Sequence, residues 1–157
     1  MSRSDDMKII YVHHAERDYS NKDIDPQEQD ITMDGITEAE FFAKKVHLLG
    51  VTKIYSSEYK RCVHTANILN KNLGLEINIE KRFNEKEKTE TWEEFLNRNK
   101  SAIQDIIDNG EKSDVVLCIS SGVNLSAFVS YFYKSDKAFC QALAMSPVFF
   151  KIDDEFY

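Results

Sequence analysis

His13, His14 and Glu16 fall within four residues, directly after the apolar run Ile9-Ile10-Tyr11-Val12. A β-branched and aromatic run of this kind reads as a buried strand. Polar residues at its C-terminal end stand where open α/β sheets place their ligand sites. Imidazoles there suit covalent or metal chemistry; the plainer reading is a strand leaving the core through a polar loop. A second group follows the strand-like Lys53-Ile54-Tyr55-Ser56. Ser57 is expected to cap a helix starting at Glu58, with the acidic residue favouring its N-terminus. Arg61 then lies in about the first turn, where a guanidinium and unfilled backbone N–H groups offer donors to one anion.

The elements that must position these residues are readable from spacing. Strand 8–13 leads into a polar loop, 17–31, that contains Pro26. Ile36, Ala39, Phe42, Ala43, Val46 and Leu49 repeat at helical spacing, and Gly50 stops them. Strand 53–56 and a helix from 58 to about 72 come next, ended by Gly74. Residues 76–80 alternate as a strand with one polar face, and 81–94 read as a charged, solvated connector. Trp92, Phe95, Ala102, Ile103, Ile106 and Ile107 mark an amphipathic helix that Asn109-Gly110 closes. Residues 115–119 are apolar without alternation, as in a central parallel strand covered on both faces. A helix over about 123–133 and a strand over 148–152 complete the series. Helix follows strand repeatedly, which predicts a three-layer α/β/α sandwich with a largely parallel central sheet. Residues 1–6 are expected to form a loose N-terminus and 7–157 a single domain.

The motifs resemble the histidine phosphatase superfamily, which includes phosphoglycerate mutases and small phosphohistidine phosphatases. That family opens with strand-Arg-His-Gly-Glu, matched here by His13-His14-Ala15-Glu16. Its Ser-Ser-x-x-x-Arg-x-x-x-Thr-Ala is matched by Ser56-Ser57 through Arg61 to Thr65-Ala66. Residues 31–39 resemble its Leu-Thr-x-x-Gly-x-x-Gln-Ala, Phe83-Asn84-Glu85 its Leu-x-Glu, and residues 116–122 its last strand before His-Gly. The resemblance covers roughly residues 7–152 and implies a phosphoglycerate mutase-like fold. It also implies His14 as the nucleophile that forms a phosphohistidine and Arg61 as the fork holding phosphoryl oxygens. Glu85 would be the acid for the leaving oxygen, with Glu87 in reserve. His13, Ser121 and Gly122 would complete the phosphate-binding wall.

Three positions depart from the family. Its first arginine is His13 here, its glycine is Ala15, and its second histidine is Ser121. An imidazole is shorter than arginine and, with a reference pKa of ~6.5, mostly neutral at pH 7. Loss of one preorganised donor typically costs ~10²–10³ in rate. Two readings therefore stand: a weakened phosphatase acting on a phosphorylated small molecule or phosphoprotein, and a non-catalytic pseudophosphatase that binds a phosphorylated ligand or partner. Adjacent histidines on a strand point to opposite faces, so His13 and His14 need not share a site. His64, three residues beyond Arg61, could supply an imidazole or simply lie exposed on its helix.

Other chemistries fit less well. No His-x-x-x-His or Cys-x-x-Cys completes a metal shell, so neither metal nor cofactor is expected. A cysteine phosphatase needs arginine six residues after its cysteine, and Cys118 has Asn124 there. No Gly-x-Gly-x-x-Gly follows the first strand. A net charge of −7 and a pI near 5.1 argue against nucleic acid or a membrane surface as partner. Three cysteines, Cys62, Cys118 and Cys140, read as reduced residues of a cytoplasmic protein.

Overall fold

The computed structural model describes residues 6–134, 140 and 144–151. The strands are β1 (Lys8–His13), β2 (Lys53–Ser56), β3 (Ile77–Ile79), β4 (Val115–Ser120) and β5 (Val148–Lys151). The helices are α1 (Met33–Val46), α2 (Lys60–Asn70), α3 (Trp92–Asn109) and α4 (Leu125–Tyr133). Strand order is β3-β2-β4-β1-β5, parallel except for β5, which runs antiparallel to β1. Most of the predicted loose terminus, and residue 152 of the predicted last strand, lie outside the described residues.

Alternation along the two central strands divides the core between the sheet faces. Ile10, Val12, Leu117 and Ile119 pack with Phe42 and Val46 of α1 and with Cys62, Ala66 and Leu69 of α2. Ile9, Tyr11, Val116 and Cys118 pack with Ile103 and Ile106 of α3 and Phe128 of α4. The three layers follow from this two-sided burial, which also explains why β4 carries no polar face. The chain leaves β1 toward α1 and leaves neighbouring β4 toward α4, on opposite faces. Adjacent strands whose connections part in this way leave a crevice beyond their C-terminal ends.

Local chemistry sets the helix starts. Thr32 caps α1 by accepting from Gly35 N at 2.9 Å, and its own hydroxyl donates to Glu16 Oε1 at 2.7 Å. Gly35 is needed for that closeness, since a Cβ there would meet Glu16 N at 3.0 Å. Thr91 and Glu94 form a reciprocal capping box at the start of α3. Ser57 does not cap α2, contrary to expectation. The helix begins two residues later than predicted, with Tyr59 as N-cap and no side-chain cap bond. The Ser57 hydroxyl instead donates to Asn84 Oδ1 at 2.6 Å. A second strand boundary also shrinks: β3 keeps only Ile77–Ile79, because Glu80 turns to accept from Arg82 N at 3.0 Å. Gly122–Asn124 forms a separate 3-10 turn ahead of α4.

Candidate active site

His14 is the first residue beyond β1, yet it stays tied to the sheet. Its N–H donates to the Ser120 carbonyl at 3.0 Å, extending the β1–β4 pairing. The next amide, Ala15 N, donates to Thr65 Oγ1 at 3.0 Å, and that hydroxyl donates to the Arg61 carbonyl at 2.7 Å. One threonine thus fastens the strand tip to the first turns of α2. This is a structural reason for a threonine four residues after Arg61.

The His14 ring is held in one tautomer. Its Nδ1 lies 2.7 Å from the Ala15 carbonyl, and a carbonyl only accepts, so Nδ1 carries the hydrogen. In the neutral ring Nε2 then bears the lone pair. Burial pushes the His14 pKa down to about 3, helped by the charges of His13, Arg61 and Arg17, while the Ala15 carbonyl opposes the shift. His14 is therefore a neutral imidazole at any ordinary pH.

His13 and His14 come together after all. Their Nε2 atoms are 3.1 Å apart, and the rings meet edge to face at 72°. Strand alternation left open whether the two rings share a site; they do, because β1 ends at His13 and the chain has left strand geometry by His14. With the His14 lone pair as acceptor, His13 must donate from Nε2. The resting bond thus covers the atom that would attack.

Arg61 is fully buried. Nη1 donates to the Pro26 carbonyl at 2.7 Å, Nη2 donates to Glu85 Oε2 at 2.5 Å, and the guanidinium lies over the Tyr59 ring. Nε of Arg61 and Oγ of Ser121, both buried, have no hydrogen-bond partner among the described residues. Ser121 stands at the end of β4, its carbonyl accepting from the buried Tyr11 hydroxyl, and Gly122 opens the turn that follows. The His64 ring turns to Asp30, 2.7 Å away. Glu87 is exposed, so Glu85 is the carboxylate that meets Arg61.

Three features were missed in the sequence. Arg17 bonds Gln29 Oε1 at 2.7 Å, which organises the polar loop and sets a second guanidinium near enough to act on His14. The connector 81–94 is not simply solvated. Arg98 of α3 donates to the carbonyls of Arg82, Asn84 and Glu85 and pairs with Glu90. Asn124 donates to the carbonyls of Phe83 and Asn84, and Ser120 to that of Phe83. A lone arginine on a helix and an asparagine after Gly122 were the available signals.

Among the described residues no group of three or more His, Cys, Asp or Glu is placed to hold a metal ion, and no helix is long and apolar enough to cross a membrane. A family model described as histidine phosphatase superfamily, branch 1, matches residues 9–88. The chain belongs to that superfamily. Among solved structures, Bacillus stearothermophilus YhfR matches with a TM-score of 0.80 at 16% identity, covering 94% of this chain and 92% of that one. A putative alpha-ribazole-5'-P phosphatase from Escherichia coli matches at 0.80 and 16%, covering 96% and 93%. The putative phosphohistidine phosphatase SixA from Agrobacterium tumefaciens matches at 0.68 and 13%, covering 92% and 90%. No curated protein matches the chain. These likenesses carry the phosphoglycerate mutase-like fold onto this superfamily member.

Proposed function

We propose that the chain is a weakened histidine phosphatase acting on a phosphomonoester or phosphoprotein through a phosphohistidine on His14. The observation that carries this reading is the fixed, neutral His14 tautomer with its Nε2 lone pair at the crevice. In the first step Nε2 attacks phosphorus and the bond to the leaving oxygen breaks. Glu85, in its protonated form, gives that oxygen its proton. In the second step water attacks phosphorus, its proton passes to the Glu85 carboxylate, the phosphorus–nitrogen bond breaks with its electron pair returning to His14 Nε2, and inorganic phosphate leaves. Arg61 Nε and Ser121 Oγ, without hydrogen-bond partners among the described residues, are the donors for phosphoryl oxygens. An arriving phosphoryl group would also displace the His13 donor from His14 and draw Arg61 off Glu85. Neighbours bearing names as different as glucosyl-3-phosphoglycerate phosphatase, from a mycobacterium, and phosphoserine phosphatase, from Entamoeba histolytica, support a phosphorylated substrate class without selecting one.

The second reading, a pseudophosphatase that binds a phosphorylated ligand, is favoured by the His13–His14 bond itself. Trapping separates the two. The protein is incubated with a labelled acyl phosphate and quenched in alkali, since phosphohistidine is acid-labile. Label that is present in the parent and absent in His14→Ala supports the enzyme. No label, with inorganic phosphate binding seen by calorimetry, moves the assignment to the binding protein. Absence of both defeats the site.

A further inference from the structure

Helix α1 turns one stripe inward and leaves another uncovered. Ala39, Phe42, Ala43 and Val46 are buried, whereas Met33, Phe41 and Leu48 are 78%, 62% and 81% exposed. At 3.6 residues per turn these three fall within about 80° of one another on the outer side of the helix and the turn that continues it. Phe41 stands at the middle, ~12 Å from Met33 and ~10 Å from Leu48 along the axis. A groove of about 400 Å³ runs along the same flank, lined by Thr37, Glu38, Phe41, Phe42, Lys45 and Met145.

The charges beside this stripe are divided by position. Asp34, Glu38 and Glu40 precede Phe41, and Lys44 and Lys45 follow it, all exposed. A two-fold axis through Phe41, perpendicular to the helix, sets residues at equal distances before and after it against each other. Met33 then meets Leu48 of the second copy, and Phe41 meets its own counterpart. Glu38 lies on the same flank as Lys45 of the second copy, and Glu40 on the same flank as Lys44 of the second copy. Parallel pairing would instead set Glu38 beside Glu40 and Lys45 beside Lys44 of the second copy, like charge to like. The Lys45 ammonium already reaches across the Phe41 ring, 5.3 Å from its centre, so it borders the contact.

From this register we infer that α1 is an isologous dimer surface, on which a second copy of this chain packs antiparallel about Phe41. Its apolar centre and complementary flanks match the usual arrangement of an interface core and rim. One helix on one helix is near or below the ~1,200 Å² lower end of specific interfaces, so the dimer is weak and concentration-dependent.

Sedimentation velocity from about 10 to 500 µM tests it. The parent is expected to pass from monomer to dimer within that range, and Phe41→Asp to remain monomeric. Glu38→Lys and Lys45→Glu should each weaken the dimer several-fold, while the double variant recovers it, because the exchanged charges again oppose each other. Circular dichroism checks folding, and Met33→Asp replaces Phe41→Asp if the latter misfolds. A parent that stays monomeric throughout overturns the inference, and so does a dimer indifferent to both aspartate variants. Failure of the charge-exchanged pair to recover overturns the antiparallel register. Cover by a different protein, or by another part of this chain, appears as the monomeric outcome.

Discussion

The two halves of the site are held in different ways. The Glu85 half is pinned from outside: Arg98, Asn124 and Ser120 take its backbone carbonyls, and Ser57 takes Asn84. The β1 tip is tied by its backbone to Ser120 and Thr65, but its imidazoles turn on near neighbours, His13 on His14 and His14 on the Ala15 carbonyl. In the first half each of these bonds comes from another element. In the second half one donor has turned upon its own neighbour, and Ser121 Oγ has no partner among the described residues. On the proposed reading the scaffold of a phosphoryl-transfer site is intact, and the proposed weakening lies in two donors. This predicts that function can be raised at the β1 tip and only lowered at the Glu85 segment.

The largest effect should come from restoring those donors. His13→Arg removes the bond that covers His14 Nε2 and adds a charge that does not titrate. Ser121→His adds a second imidazole. Together they should raise turnover of a generic phosphomonoester by ~10² or more, following the usual worth of preorganised donors. Phosphate release kinetics on the parent, single and double variants provide the measurement. A double variant that folds and binds phosphate yet forms no phosphohistidine would leave the binding protein as the sole reading.

Next in size is the clasp on the other half. Arg98→Met keeps the stem but takes the guanidinium from the Arg82 and Glu85 carbonyls, leaves the Asn84 carbonyl to Asn124, and removes the ion pair of Glu90. Unpaired groups in this setting typically cost ~2–3 kcal/mol, readable as a lower urea midpoint. Turnover should fall about tenfold with a smaller change in KM, because Glu85 loses its orientation while Arg61 stays buried. Stability lost with turnover unchanged would show that Glu85 needs no such support.

The fold was legible because apolar runs and helical spacing are local signals. The strands fell on β-branched runs, and Thr32 with Gly35 marked the start of α1. What stayed hidden depended on partners far along the chain. Ser57 has the composition of an N-cap, but Asn84, 27 residues on, captures its hydroxyl. The connector 81–94 is rich in Lys and Glu, as solvated loops are, and only Arg98 and Asn124 give it order. His14 and Arg61 could be singled out by motif, whereas the contribution of Arg17 arises from the path of a polar loop. Strand alternation alone left the meeting of His13 with His14 open, since it depends on where β1 ends, and only the motif placed both at one site.

The smallest expected effect concerns pH and the β1 tip alone. His14 has a folded pKa of about 3 against ~6.5 in an unfolded chain. Between these values the unfolded state binds a proton that the folded state refuses. The contribution of neutral His14 to stability is thus fully present above about pH 6.5 and is lost progressively as pH falls toward 3. By pH 5 the loss should amount to about 2 kcal/mol. His14→Gln removes this titration and leaves that of most other groups to cancel in the difference. Urea unfolding of both proteins should therefore show the parent losing about 2 kcal/mol relative to the variant between pH 7.5 and pH 5. A constant difference across that range would mean that His14 accepts a proton in the folded protein, as it could if His13 turned away from it. The lone pair needed for attack would then be absent in acid, and activity would fall there instead of holding.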